Sequence, residues 1–111
     1  MREPAGIEGA IAGIRTRFLG RLHGHRDALA ALGEAAQNAT PDVVEAAIFA
    51  AHKIAGSARM LGLPTLGEVA FQTEVQLTDD RDNGLAPGSG SLTQAEALIA
   101  EIDAALAGHS G

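Results

Sequence analysis

Between residues 41 and 61 the apolar positions recur at alternating steps of three and four. Val44, Ala47, Ala51, Ile54, Ala58 and Leu61 fall on one stripe of a helical wheel. The stretch predicts a helix with that stripe against a core. From about Pro4 to Ala39, Ile7, Ile11, Ile14, Phe18, Leu22, Leu29, Leu32 and Ala36 keep steps of three, four or seven, while Gly13, Gly20 and Gly24 interrupt. Glycine inside a helix is unfavourable by about 1 kcal/mol relative to alanine. This region therefore reads as a short first helix running into, or breaking before, a long second one. Leu66, Ala70, Thr73 and Leu77 give a third inward face, and Ala95, Leu98, Ile102 and Ala105 a fourth.

Local signals set the ends. Thr40-Pro41-Asp42 is a strong helix start, because threonine can cap, proline is preset for the first turn and aspartate complements the positive end of the dipole. Gly62 closes that helix, and Leu63-Pro64-Thr65 is so short a turn that the next helix folds back against it. Residues 79–91, charged and then rich in Gly and Ser, read as a surface loop. Ser91 with Gln94, or Thr93 with Glu96, offers a capping box for the last helix, and residues 108–111 read as a frayed tail. The expected fold is all-α: an antiparallel four-helix bundle with helices near 13–36, 41–61, 64–79 and 92–107, plus a short additional N-terminal helix.

Composition narrows the class further. The chain has 111 residues, enough for one domain spanning 1–111, and is 46% hydrophobic but only 3% aromatic, which suits close helix packing. A net charge of −6 argues against nucleic acid as a partner. With no cysteine, no leader-like start and no apolar run near the ~18 residues of a membrane span, the expectation is a soluble, cytoplasmic, monomeric protein without a membrane partner. Arg15, Arg17, Arg21 and Arg26, with His23 nearby, lie off the first stripe and read as solvated charge.

Candidate chemistry centres on Ala51–Gly62, AHKIAGSARMLG. His52 lies roughly 130° from the middle of the apolar stripe and so faces solvent. Gly56, four residues on, clears the approach to its ring. A surface histidine beside a tolerated glycine is the plainer account. Yet Ala51-His52, Ile54, Gly56-Ser57, Leu61-Gly62, Leu66, Ala70 and Glu74 together resemble the signature of histidine-containing phosphotransfer (HPt) domains. The pattern departs at Ala55, where that family usually carries lysine, while Lys53 places a cation on the other side of the histidine.

The resemblance implies that His52 accepts a phosphoryl group from a receiver-domain aspartate and passes it to another, in a two-component phosphorelay fed by a hybrid histidine kinase. Imidazole suits this role, because its ordinary pKa of roughly 6.5 leaves much of it uncharged at neutral pH with a free lone pair. Glu74, near the edge of its helix, is the candidate to hold Nδ1 and leave Nε2 to attack; a glutamate without a partner is the alternative. Ile48 and Phe49, about 40° and 60° from His52 on the wheel, with Ala55 and Arg59, are candidates for receiver docking, against burial for the apolar pair and ordinary solvation for Lys53 and Arg59. The chain shows no nucleotide-binding glycine pattern. It is therefore expected to be a relay intermediate rather than an enzyme, holding no cofactor of its own, with Mg²⁺ supplied by the receiver. Two other classes compete: a non-catalytic helical adaptor, and a metal protein using His23, His25, His52 and His109. The spacing of two between His23 and His25 opposes the second.

Overall fold

The structure is a computed structural model that describes residues 3–110, with side-chain surroundings for 9–108. Four helices account for most of it: α1 (Glu3–Ala35), α2 (Pro41–Ala58), α3 (Pro64–Asp82) and α4 (Ser89–Ser110), with a 3₁₀ turn at Ala36–Asn38. No strand occurs among the described residues. Each helix packs against the next in the chain, and α1 also packs against α4, so α2 and α4 sit diagonally. One core collects Phe18, Leu22, Leu29 and Leu32 from α1, Ala47, Ala51, Ile54 and Ala58 from α2, Leu66, Ala70 and Leu77 from α3, and Ala95, Leu98 and Ile102 from α4.

The separate N-terminal helix expected from the sequence does not exist as an element. Helix α1 runs unbroken through Gly9, Gly13, Gly20 and Gly24. Packing overrides propensity here: Phe18, Leu19, Leu22, Leu29 and Leu32 are buried, and burying a large apolar side chain is worth about 1.5–3 kcal/mol, more than each glycine loses. Towards the N-terminus the stripe leaves the core, with Ile11 and Ile14 about half exposed. The Ile7 side chain lies outside the described residues.

Helix α2 starts as its sequence predicts. The Thr40 hydroxyl accepts from the Val43 amide at 3.3 Å, with Pro41 in the first turn and Asp42 beside the positive end of the dipole. It ends in a reversed turn: Leu63 N–H donates to the Ala58 carbonyl at 2.9 Å and Gly62 N–H to Arg59 at 3.3 Å, with Gly62 at φ +79°. Only glycine adopts that backbone without strain. Helix α3 ends in the same way at Gly84, φ +70°, where Leu85 N–H donates to the Asp80 carbonyl at 2.8 Å.

Helix α4 differs at both ends from its expected span of 92–107. It begins three residues earlier and continues through 108–110, where a frayed tail was expected. Ser91 is no capping-box residue: it is buried, and its hydroxyl donates to Asp80 of α3 at 2.6 Å. The same carboxylate oxygen accepts from the Gly88 amide at 3.0 Å. A carboxylate on the preceding helix thus anchors the start of α4, and sequence spacing within α4 cannot reveal it.

Candidate functional site

Along the α2–α3 hairpin three cross-links tie the helices together. Glu45 pairs with Arg81 at 2.9 Å, His52 with Glu74 at 2.9 Å and Arg59 with Glu68 at 3.0 Å. Positions rise by seven along α2 while their partners fall along α3, so His52 sits in the middle of a seam stitched at both ends. The buried Thr73 fixes the register opposite. Its hydroxyl donates to the Val69 carbonyl at 2.8 Å and lies 3.3 Å from the Gln94 carbonyl of α4. That leaves Glu74, the next residue, at the rim of α3.

The His52 ring is 67% exposed and the Glu74 side chain 25% exposed. A carboxylate can only accept, so with Nδ1 at 2.9 Å from Glu74 Oε2 the proton belongs on Nδ1. Nε2 then carries the lone pair and has no bonded partner among the described residues. The space at Gly56, one turn further along α2, is open: a methyl group built there meets no heavy atom within 4 Å. The arrangement presents an exposed imidazole, oriented by one carboxylate, on the face of α2. Among the described residues no group of three metal-ligating side chains forms; His109 lies outside those whose side chains are described.

The remaining candidates divide. Phe49 is 58% exposed, and the Lys53 ammonium stands 5.7 Å from its ring centroid. Arg59 is exposed and held by Glu68 and by the Phe71 ring, 5.8 Å from its guanidinium carbon. Ala55 is half-buried against the core. Ile48 is a correction: only 8% exposed, it belongs to the core and offers nothing to a partner. Its 40° offset from His52 points towards α3, and the close seam covers it. Sequence reasoning missed Phe71 and Val75, both nearly half exposed, which border Glu74 on α3. Their positions three residues before and one after Glu74, off the inward stripe, were the available signal.

Fold and site together define a small helical module that presents an exposed histidine bonded to a glutamate of the neighbouring helix. A family model, the Hpt domain, matches residues 14–108, and the chain belongs to that family. No curated protein and no solved structure matched. Hpt domains take part in histidine phosphotransfer in two-component signalling, interact with receiver domains and histidine kinases, and carry no kinase machinery. No described helix is long and apolar enough to cross a membrane.

Proposed function

We propose that His52 is the phosphoacceptor of this chain, taking a phosphoryl group from the aspartyl phosphate of one receiver domain and delivering it to the aspartate of another. The observation that carries the reading is the 2.9 Å bond between His52 Nδ1 and Glu74, on a ring that is 67% exposed. Nε2 attacks phosphorus in line with the leaving aspartate oxygen. The N–P bond forms as the P–O bond breaks, and the aspartate departs as a carboxylate. The ring becomes a cation with its proton still on Nδ1, and Glu74 stabilises that charge. Transfer onward reverses these steps.

Mg²⁺ is assigned to the receiver, because among the described residues the one carboxylate bonded to His52 is Glu74, already committed to Nδ1. The unit is read as a single-domain, cytoplasmic monomer whose four helices form an antiparallel bundle. Support for the antiparallel arrangement comes from partners that descend along α3 as they ascend along α2. Phe49 and Lys53, joined by Phe71 and Val75, are the receiver-facing groups around the nucleophile.

The test is to phosphorylate receiver domains of the source organism with radiolabelled phosphate and mix each with the chain. Label on the chain that is stable to alkali and lost in acid, as an N–P bond requires, supports the reading. Label taken directly from ATP, or none from any receiver, contradicts it.

A further inference from the structure

Of the eight Lys and Arg residues, seven fall among those whose surroundings are described: Arg15, Arg17, Arg21, Arg26, Lys53, Arg59 and Arg81. Four of these are occupied within the chain. Arg26 binds Asp103 at 2.6 Å, Arg59 binds Glu68 and Arg81 binds Glu45. Arg15 donates to the Leu61 carbonyl at 3.1 Å. The other three, Arg17, Arg21 and Lys53, pair with no carboxylate among the described residues, although the chain has fourteen Asp and Glu. All three line one groove of about 220 Å³ between α1 and α2, and no acidic residue lines it with them. A half-buried histidine in the same groove, His25, reports the local field: burial first, then Lys53 and Arg21, holds its imidazolium below the ordinary range.

We infer that this groove is the partner-selecting surface of the relay, seating a receiver whose surface beside its phosphorylated aspartate carries carboxylates, with Arg17 and Arg21 as the specificity-determining residues. The inference rests on the assignment of His52 above. Lys53, next to His52 in the chain, joins the groove to the nucleophile. A chain of net charge −6 repels an acidic partner at long range everywhere except at a local basic patch, so the patch governs which partners arrive and in what orientation. The occupant is a protein surface rather than a small anion, because the groove walls include Ile14 at 46% exposure and Met60 at 79%. A free phosphate would leave both uncovered.

Two charge-matched doubles test this. Arg17→Gln with Arg21→Gln and Ala97→Glu with Ala100→Glu each change the charge by −2. The alanines lie exposed on α4, diagonal to α2. Each protein is loaded in two ways: from the phosphorylated receiver that reacts fastest with the wild-type chain, and from phosphoramidate, a small donor whose P–N bond breaks with loss of ammonia as the bond to His52 forms. The ratio of receiver transfer to phosphoramidate labelling is expected to fall about tenfold or more for the arginine double at low salt and to stay within about twofold for the alanine double. The difference should shrink as salt rises. Equal ratios for the two doubles overturn the groove assignment while leaving His52 as the acceptor. Failure of either donor to label His52 of the wild-type chain overturns the phosphoacceptor reading itself, and the groove with it. Pyrophosphate that shifts the Arg17, Arg21 and Lys53 amide resonances, together with equal ratios, assigns the groove to a small anion instead.

Discussion

At the scale of single residues the site depends on one bond and one missing side chain. On the proposed reading the Glu74 carboxylate sets the imidazole tautomer and balances the charge that arrives with phosphorus. Glu74→Gln retains an acceptor for Nδ1–H but loses the charge, whereas Glu74→Ala loses both. Receiver-transfer rates are expected to fall in the order wild type, Gln, Ala, with Ala down by about tenfold, the equivalent of a charge-assisted hydrogen bond of ~1.4 kcal/mol. Equal rates for Gln and Ala would remove the orienting role. Gly56 separates stability from function, since a methyl group there meets nothing within 4 Å. Gly56→Ala is expected to raise stability by up to about 1 kcal/mol with little change in transfer, because alanine is the better helix former. Gly56→Leu keeps the stability but slows transfer, as its side chain occupies the approach to Nε2. Thermal melts and single-turnover rates on the same samples read both. The contact between His52 and Glu74 was legible in the sequence because both lie on one hairpin and within a run that resembles the HPt signature. Ile48 was misread because it lies about one helical turn from His52, and the closeness of the α2–α3 seam is not written in the spacing.

Helix ends give predictions of opposite sign. Gly62 holds φ +79° at the end of α2, so Gly62→Ala is expected to destabilise by about 1 kcal/mol or more. Ala36 holds φ +49° just after α1, a left-handed position occupied by a residue with a Cβ, so Ala36→Gly should stabilise by about 1 kcal/mol. In a domain of this length either change corresponds to a melting shift of about 4 °C, read by calorimetry. Shifts of the same sign at the two positions would contradict the reversed-turn geometry. The starts of α2 and α3 were legible because their start residues act locally; their ends were not, since α2 stops at Ala58 rather than 61 and α3 runs on to Asp82 rather than 79. The start of α4 was not legible either, because it is anchored by Asp80 on the preceding helix. Nor was the continuity of α1, whose glycines argue locally for a break that five buried side chains prevent.

For the molecule as a whole, the electrostatics set a dependence of stability on pH. The His25 imidazolium is disfavoured in the folded chain, first by burial and then by Lys53 and Arg21. Its folded pKa lies below the unfolded value of 6.5, so the unfolded state binds the proton more readily. Stability from this group is therefore full above the unfolded value and is lost as pH falls through the folded one. Asp103, held below its ordinary range by the Arg26 hydrogen bond, adds a loss of the same sign further into acid. Urea midpoints are expected to fall on acidification below about neutral pH, and His25→Gln should flatten the first part of that fall; an unchanged slope would contradict the placement of His25. The groove that holds His25 was hidden in the sequence because Arg17 and Arg21 come from α1 and Lys53 from α2, and each alone looks like solvated charge. The whole account turns on which atom of which residue holds the phosphoryl group. The most direct measurement is the ³¹P–¹⁵N coupling in uniformly ¹⁵N-labelled protein loaded with phosphoramidate, beside His52→Gln treated in the same way. A single phosphohistidine with phosphorus on Nε2 of His52, and none in the folded variant, is the predicted result. Phosphorus on Nδ1, or on His23, His25 or His109, would contradict it.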